Sequence, residues 1–310
     1  MKRSFATARA PASVGNAAVG FDLLGHALAA PEDRVTASRS DGSGVRIASI
    51  RGSRHALPLD AGSNTASRAV MAMLEAQGIE VGIELVIDKG IPLASGLGGS
   101  AASAVAAVVA TASLLELQLS LEEMYPFALA GEAVASGTAH GDNVGCQLLG
   151  GLVLATTDRL ISIPVPAGLT AVAVHPDYQV NTRDARQCLV RPFDLATVVA
   201  QSSNLAQVLT GCHQSSIELV RSGLADVMVE PRRAALIPGF DEVKKAALAH
   251  GALGASISGA GPTVFGWFAD EADAATAGRA MVNAFAGAGL KAEAFVSPVA
   301  AEGARIVDNG

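Results

Sequence analysis

The sequence predicts an α+β protein, and three observations lead to that fold class. Half of its 310 residues are hydrophobic and only 16% are charged, as expected of a well-packed enzyme. The second half of the chain gives elements in the order β-α-(α)-β-β-α-β, a split βαβ layout in which helices cover one face of an antiparallel sheet. Because the chain is longer than a usual single domain, we expect two domains, residues 1–160 and 161–310.

The first half combines strands and helices around a glycine-rich loop. FATARAPA and GVRIASI are β-rich and are separated by turn-forming Asp, Gly and Ser. Asn64 is a suitable N-cap for a helix from Thr65 to Gln77, which has apolar residues at helical spacing. The alternation in GIELVIDKGIP predicts a strand that leads into the loop, and the apolar run from Ala101 to Leu115 predicts a buried helix behind it.

The remaining elements follow from turn residues and periodicity. A helix from Ser120 to Ala135 leads into SGTAHGDNVGCQLLGGLVLA, whose glycines and polar residues predict a site loop and then a strand. The prolines of DRLISIPVPAGLT predict the crossing between the domains. Beyond it we expect a strand at 169–176, helices near 182–190, 194–211, 213–223 and 240–250, a hairpin in GASISGAGPTVFGWFA, a helix from Glu271 to Ala286 and a strand in KAEAFVS.

The composition argues against several classes of function. A net charge of −7 argues against a broad nucleic-acid surface, which needs a basic stripe. Three widely spaced cysteines suit neither a metal cluster nor a disulfide framework, which indicates a reducing compartment. The N-terminus lacks the apolar core of a secretory signal, and the apolar run that ends at Leu115 is short for a membrane span. We therefore expect a cytoplasmic protein that binds small molecules and no membrane.

The loop PLASGLGGSAASAVAAVVA, from Pro92 to Ala110, is the strongest candidate for a ligand site. It satisfies G-x-G-x-x-A, but no second strand follows at the distance that a dinucleotide-binding fold requires, and the chain has no Walker motif. Gly and Ser also open helices without any ligand. The longer pattern P-x-x-x-G-L-G-G-S-A-A adds a hydroxyl at a helix N-terminus, where amides around Gly98 to Ala101 can hold phosphate oxygens and Ser100 can ligate Mg²⁺.

This longer pattern resembles the central motif of the GHMP kinases, usually P-x-x-x-G-L-G-S-S-A-A, with Gly99 in place of the first serine. PASVGNAAVGFDLLGHAL and GASISGAGPTVFG resemble the N-terminal and C-terminal motifs of the same superfamily, so the likeness spans most of the chain. The resemblance implies the GHMP kinase fold, with an N-terminal α/β domain like domain 2 of ribosomal protein S5 and a C-terminal ferredoxin-like split βαβ domain. It also implies ATP as co-substrate and Mg²⁺ as cofactor.

Within the GHMP kinases, the flanking residues resemble those of the homoserine kinases. The pattern N-x-G-P-G-F-D-x-L-G of that family is kept at Asn16, Gly20, Phe21, Asp22, Leu24 and Gly25, whereas Ala18 and Val19 replace its Gly-Pro. HGDNVGCQLLGG resembles the H-x-D-N-V segment and gives His140, Asp142 and Asn143. NTRDAR and EPRRAALIPGF resemble later segments and give Thr182, Arg186 and Arg232. The substrate that this resemblance implies is L-homoserine.

The chemistry of an α-amino acid agrees with these residues. Arg186 and Arg232 suit bidentate recognition of a carboxylate. Asp22 with Asn16 suits the ammonium group, and His140 would orient the substrate. Taken one by one, each has an ordinary alternative: a solvated surface charge for either arginine, a turn or cap for Asp22, and a surface or packing position for the histidine.

The residue at position 143 distinguishes branches of the superfamily. In mevalonate-kinase-like members an aspartate at the matching distance before the GG pair is the proposed catalytic base, and here Asn143 takes its place. Because an amide cannot deprotonate an alcohol, the resemblance implies catalysis largely without a dedicated base, which a loose phosphoryl-transfer transition state permits. Asp142 as a general base is the alternative.

The resemblance implies the rest of the site as well. Ser100 and Glu132 would coordinate Mg²⁺, although an exposed helical glutamate is the ordinary alternative for Glu132, and Gly261 would lie at the substrate. ATP would lie on Asn64, Lys89, Pro92, Ser95, Gly96, Leu97, Gly98, Gly99, Ser100 and Ala101. Asn64 also suits a simple helix cap, and Lys89 a surface charge at a strand end. A homodimer is expected from the family.

Three other functions stay open. A GHMP kinase for mevalonate, a methylerythritol nucleotide or a sugar is the nearest, and Asn143 with the Arg186 and Arg232 pair counts against it. A non-catalytic regulator with the same fold is the second, although such a scaffold need not keep Ser100 and Glu132. A Rossmann oxidoreductase is the most distant, because no βαβ crossover fits the loop.

Overall fold

Two β-sheets organise the chain, whose computed structural model describes residues 3–53, 55–136 and 140–310. The strands are β1 (Phe5–Val14), β2 (Leu24–Ser40), β3 (Gly44–Arg51), β4 (Gly82–Asp88), β5 (Leu152–Ala155), β6 (Leu160–Ile163), β7 (Thr170–Pro176), β8 (Gly254–Ile257), β9 (Val264–Phe268), β10 (Ala292–Pro298) and β11 (Arg305–Asn309). The helices are α1 (Thr65–Ala76), α2 (Gly99–Leu114), α3 (Leu121–Ser136), α4 (Gly141–Leu149), α5 (Thr182–Gln187), α6 (Leu195–Gln214), α7 (Ile217–Gly223), α8 (Glu230–Arg233), α9 (Phe240–Ala249) and α10 (Glu271–Gly287).

The first sheet supports the glycine-rich loop. Its described strands run in the order β11-β1-β2-β4-β3, with β5 paired to β2 and β6 to β5. Only the pair of β3 and β4 is parallel among these strands. Helix α2 packs across β1 and β2 and is buried on nearly every side, because its Ala and Val side chains fit between the sheet and helices α1, α3 and α4. This packing fixes the direction in which the N-terminus of α2 points.

The second sheet, in the order β10-β7-β9-β8, is antiparallel throughout the described chain. Alternate side chains of β9 point to opposite faces of the second sheet. Val264 and Phe268 pack with α9 and α10, whereas Phe265 and Trp267 join the core shared with the first sheet. The indole N–H of Trp267 donates to His26 Nε2 at 3.1 Å across this contact. Burial lowers the pKa of His26 to about 4, so the ring is neutral and can accept this bond.

The predicted α+β fold class is confirmed, but several elements differ. The sequence predicts a site loop after α3, whereas α4 begins at Gly141, because Val144 and Leu148 face the core at helical spacing. The stretch predicted as a domain crossing contains β6, which pairs with β5. Two strands are absent from the prediction: β2, whose second half is rich in charged residues, and β11, at the end of the chain.

The division into residues 1–160 and 161–310 stays a prediction. The last strand, β11, comes from the second part and pairs with β1 in the first sheet. None of the helices in the described ranges is long and apolar enough to span a membrane.

Candidate functional site

The glycine-rich loop lies between β4 and α2, and hydrogen bonds to its carbonyl groups hold it in place. Four donors from elsewhere in the chain bind one carbonyl each: Thr263 Oγ1 on Ser95 O at 2.7 Å, Ser258 Oγ on Gly96 O at 2.7 Å, the Ser13 amide on Leu97 O at 3.1 Å and Gln147 Nε2 on Gly98 O at 2.9 Å. The first hydrogen bond within α2 runs from the Ala102 amide to Gly98 O. The amides before it have no acceptor within the helix, and such an N-terminus binds anions.

Backbone geometry requires two of the loop glycines but not the third. Gly96 and Gly98 have φ angles of 79° and 68°, which favour glycine. A Cβ on Gly96 would lie 2.5 Å from the Ser258 carbonyl oxygen, and one on Gly98 would lie 2.3 Å from Ser13 Oγ. Gly99 is the first residue of α2, and a Cβ there would lie 3.2 Å from the nearest atom, a side-chain methyl group. The departure from the family serine at position 99 is therefore not imposed by the backbone.

Helix α3 brings Glu132 to the start of α2, where its carboxyl group hydrogen-bonds the Ser100 hydroxyl. Burial is the main cause that raises the pKa of Glu132 to about 7, and the nearby Asp142 charge adds to the shift. Both groups offer oxygen ligands, and Mg²⁺ commonly takes one or two carboxylates and fills its shell with phosphate and water oxygens. Within the described ranges, no group of three or more His, Cys, Asp or Glu side chains suits a metal. Ser100 and Glu132 thus fit a cation that arrives with phosphates.

Asp22 gathers charged groups at the other end of the cleft. Arg186 bridges its carboxylate with two hydrogen bonds, from Nη2 to Oδ1 at 3.0 Å and from Nη1 to Oδ2 at 3.2 Å, and His140 Nδ1 lies 3.1 Å from Oδ2. The Asp22 backbone is left-handed, with φ 58°, and its amide donates to Asn16 Oδ1 at 3.0 Å. Burial lowers the pKa of His140 despite the opposing Asp22 charge, so the ring is neutral near pH 7.

The second arginine that lines this end is Arg233, whereas the predicted Arg232 lies outside the cleft. Arg233 is 3% exposed and donates from Nε to Ala185 O and from Nη1 to Gly259 O, both at 3.0 Å. Arg232 instead lies with its guanidinium carbon 3.4 Å from the ring centroid of Phe193, outside the cleft, and donates to backbone carbonyls beside that ring. Neighbouring residues on a helical turn point about 100° apart, so a one-position error moves the side chain out of the site.

Asp142 and Asn143 lie in the first turn of α4, between the two ends. Asp142 is 3% exposed, and its Oδ2 accepts a hydrogen bond from the backbone amide of Asn16 at 3.0 Å. Burial, followed by the Asp22 charge, raises the pKa of Asp142 to about 6. Asn143 Oδ1 accepts from the Ser13 hydroxyl at 2.8 Å, which leaves the Nδ2 group as the one that can donate into the cleft.

Two residues expected near the nucleoside make hydrogen bonds within the protein. Lys89 is buried rather than a surface charge, and its ammonium donates to the Asp33 carboxylate, to Gly99 O at 2.6 Å and to Ser103 Oγ at 2.9 Å. Asn64 lines the cleft and also caps α1, because its Oδ1 accepts an amide hydrogen bond from the first turn at 3.0 Å.

A single cavity of about 470 Å³ brings most of the predicted residues together. Its lining includes Asn16, Asp22, Asn64, Lys89, Pro92, Ser95, Gly96, Gly98, Gly99, Ser100, Glu132, His140, Asp142, Asn143, Thr182, Arg186 and Gly261. The side chains of Leu97 and Ala101 are buried in the core instead. The sequence did not identify Ser13, Asp33 or Arg233 as residues of the site. Of the three, only Arg233 had a visible signal, because it is the arginine next to Arg232 in EPRR.

Comparison with known proteins agrees with this geometry. The family model of the GHMP kinases N terminal domain matches residues 64–151, and that of the GHMP kinases C terminal matches 205–287. The chain is 55% identical over 302 residues to a homoserine kinase of Xanthomonas campestris pv. campestris (strain B100), covering 97% of this chain and 94% of that one. A homoserine kinase of Chlorobaculum tepidum is 42% identical over 317 residues, covering 97% and 98%.

Solved structures share the same fold. The crystal structure of homoserine kinase from Cytophaga hutchinsonii has a TM-score of 0.95 and 42% identity, covering 99% of this chain and 98% of that one. The mevalonate kinase of L. major, solved with R-mevalonate, has a TM-score of 0.66 at 15% identity, covering 97% of each chain. The second similarity is one of fold alone.

Proposed function

This chain belongs to the homoserine kinases of the GHMP kinase superfamily, and we propose that the cleft described above is where it phosphorylates L-homoserine. The side-chain hydroxyl would attack the γ-phosphorus of ATP in line. An oxygen–phosphorus bond forms, the bond to the bridging oxygen of ADP breaks, the hydroxyl loses its proton, and the products are O-phospho-L-homoserine, ADP and that proton.

The glycine-rich loop is the proposed site of the ATP phosphates. Its carbonyls are held by donors within the protein, and the Leu97 amide donates to Ser95 Oγ, so the amides of Gly96 and of Gly98 to Ala101 are the groups left to meet phosphate oxygens. The α2 dipole adds roughly half a positive charge at this end. An acidic protein can thus hold ATP without a basic groove. Asn64 and Pro92 would form the wall beside the nucleoside.

Ser100 and Glu132 are the residues that would hold Mg²⁺. When bound, the cation neutralises part of the charge on the β- and γ-phosphates. Glu132 must be ionised for this role, and because burial raises its pKa to about 7, a proton and the cation would compete for this carboxylate near neutral pH. The Ser100 hydroxyl orients that carboxyl group through the hydrogen bond between them.

The charged end supports an amino acid as the acceptor, and this is the observation that carries the proposal. Arg186 and Arg233 place two guanidinium groups beside Asp22 in a half-buried pocket. A carboxylate would bind the arginines, while the ammonium group would bind Asp22, assisted by Asn16. Neither a sugar nor mevalonate offers both charges. His140, Thr182 and Gly261 would complete the pocket.

Asn143 would orient the attacking hydroxyl without taking its proton. Its Oδ1 already accepts from Ser13, so Nδ2 is the group that can donate to the substrate. Phosphoryl transfer with a loose transition state depends mainly on positioning and charge stabilisation, so a dedicated base is not required. Asp142 is the alternative base, yet it is buried and accepts a hydrogen bond from the backbone amide of Asn16.

Further features of the enzyme are part of the same proposal. We propose that the enzyme works in threonine biosynthesis and in the cytoplasm, and the family expectation is a homodimer. A mevalonate- or sugar-directed kinase is the second candidate, and Asn143 at the position of the aspartate base counts against it. A non-catalytic regulator is the third, and the pairing of Ser100 with Glu132 counts against decay.

A coupled ADP-release assay tests the proposal. L-homoserine, threonine, serine, mevalonate and galactose are compared at saturating ATP and Mg²⁺. Two truncated analogues, 3-aminopropan-1-ol without the carboxylate and 4-hydroxybutanoate without the ammonium group, probe the charged end. We expect fast turnover with L-homoserine and at least about 100-fold lower kcat/KM for either analogue, because each lacks one of the two charged groups that the pocket would bind. Absence of homoserine-dependent ADP release would overturn the assignment.

A further inference from the structure

Asp33 is a fully buried carboxylate on β2 that no part of the proposed mechanism uses. Its Oδ1 accepts hydrogen bonds from the backbone amides of Gly90 and Ile91, each at 3.0 Å. These residues directly precede Pro92, where the glycine-rich loop begins. One oxygen of Asp33 therefore fixes the chain at the entrance to the loop.

The other oxygen fixes the chain at the exit. Asp33 Oδ2 accepts from Ser103 Oγ at 2.8 Å and from the Lys89 ammonium. Lys89 in turn donates to Gly99 O at 2.6 Å and to Ser103 Oγ at 2.9 Å. Gly99 and Ser103 belong to the first turns of α2, directly behind the loop. Both ends of the loop are thus tied to a single carboxylate beneath it.

The charges at this point balance each other. The Lys89 side chain is 4% exposed and that of Asp33 is not exposed at all, so neither charge is solvated. The three hydrogens of the ammonium group have three acceptors, namely Asp33, Gly99 O and Ser103 Oγ, which leaves it no free donor for a phosphate. Lys89 therefore acts as the counter-ion of Asp33, a different role from the ATP contact expected from the family.

We propose that Asp33 is a positioning residue, which with Lys89 holds the two ends of the glycine-rich loop at a fixed separation before the nucleotide arrives. The proposal rests on the proposed function, because it takes the loop to be the phosphate site. A loop whose ends are fixed presents its amides in a preformed arrangement, and ATP binding then costs less ordering. Without this clamp the same amides would have to be ordered by the nucleotide.

Asp33→Asn separates this account from simple electrostatics, because the two predict opposite signs. Asparagine keeps the shape of the side chain but removes a negative charge close to the phosphate site. If charge alone mattered, ATP would bind more tightly to the variant. If Asp33 clamps the loop, its Nδ2 group now faces the donors of Lys89 and Ser103, the ties to α2 are lost, and ATP binds more weakly, by about tenfold.

The measurement is the dissociation constant of ATP by calorimetric titration with Mg²⁺ and without homoserine, together with the melting temperature and the KM for homoserine. Ser103→Ala, which removes the hydroxyl that contacts both Asp33 and Lys89 and keeps both charges, should weaken ATP binding about threefold. The double variant Asp33→Asn, Lys89→Met leaves no buried charge unpaired, so it recovers stability relative to Asp33→Asn but not ATP affinity. In every folded variant the KM for homoserine should stay within about twofold, since the clamp does not reach that end.

The outcomes are distinct. Wild-type ATP affinity or tighter binding in Asp33→Asn overturns the clamp, and so does recovery of ATP affinity together with stability in the double variant. If Asp33→Asn does not fold, an unchanged ATP affinity in Ser103→Ala and in the double variant has the same meaning. A wild-type protein that binds no ATP would instead refute the proposed function.

Discussion

At one end of the cleft an anion would meet backbone amides, those of Gly96 and of Gly98 to Ala101, whereas at the other it would meet the side chains of Arg186 and Arg233. The amide end depends on the path of the main chain, which is set by carbonyl contacts and by glycines with positive φ. The side-chain end depends on which charged groups are present and where they point. The two ends should therefore fail in different ways.

The amide end should be sensitive to added atoms. The side-chain end should be sensitive to removed ones. In the first case a methyl group that disturbs the main chain misplaces several amides at once. In the second, one lost guanidinium leaves the substrate carboxylate short of a partner while the backbone stays in place.

The largest effect is expected from Gly98→Ala. The new methyl carbon would lie 2.3 Å from Ser13 Oγ on a backbone with φ 68°, so the loop must move. We expect kcat/KM for ATP to fall by at least about 100-fold. Gly99→Ala is the matched control, because its φ is helical and its methyl carbon would lie 3.2 Å from Ile91 Cγ2. Steady-state kinetics at varied ATP should show less than about a threefold change for the control. Equal losses in the two variants would refute this view of the amide end.

The next effect is expected from Arg233→Ala, with Arg232→Ala as its control. Loss of a buried guanidinium from the substrate carboxylate costs about 2–3 kcal/mol, so the KM for homoserine should rise about 30- to 150-fold. The KM for ATP should stay within about twofold. Arg232 stacks on Phe193 outside the cleft, and its removal should leave both KM values nearly unchanged. If Arg232→Ala raised the KM for homoserine and Arg233→Ala did not, the original prediction from EPRR would be restored.

The last effect is one on stability and concerns Glu132, which lies beside Ser100 at the amide end. Its pKa is raised from 4.5 to about 7, so the folded protein binds the proton more tightly than the unfolded chain. The free energy of unfolding contributed by this group therefore falls as the pH rises from about 4.5 to 7, and the loss is complete above that window. In metal-free buffer, Glu132→Gln should be more stable than the wild type by about 3 kcal/mol at pH 8, because each unit of pKa shift corresponds to about 1.4 kcal/mol.

The control for this prediction is the same pair of proteins at pH 4.5, where the wild-type side chain is protonated and the two melting temperatures should be close. Asp142 has a pKa raised to about 6 and adds a slope of the same sign, but it is present in both proteins. A Glu132→Gln variant that is less stable than the wild type at pH 8 would contradict the burial of this carboxyl group.

The sequence predicted the amide end far better than the side-chain end. The proposed phosphate loop is one contiguous motif, and the groups that would bind the phosphates are backbone amides at a helix start. The opposite end joins Asn16 and Asp22 to residues of α4, α5 and α8, and only the family resemblance brought them together. The choice between Arg232 and Arg233 depended on the direction of a side chain on a single turn, which periodicity does not give for so short a helix.

Some features of the fold could not be predicted because they depend on contacts between residues that are far apart in the sequence. β11 pairs with β1 from the opposite end of the chain, and no local pattern reports a partner so distant. Asp33 stands among polar residues of β2 and looks like a solvated strand position, because its partners are backbone amides and a lysine on other elements. Helix α4 was not predicted because its glycines are typical of a loop. In the structure they allow close packing, as at Gly145 against Val153.

The most direct test of the whole account is a ³¹P NMR time course of the purified protein with Mg²⁺ and ATP, with and without L-homoserine. The account predicts that the γ-phosphate signal of ATP is lost only when L-homoserine is present, and that one new phosphomonoester signal on the homoserine side-chain oxygen replaces it. Arg232→Ala should give the same spectrum at the same rate. Release of inorganic phosphate without a phosphomonoester, or no consumption of ATP, would contradict it.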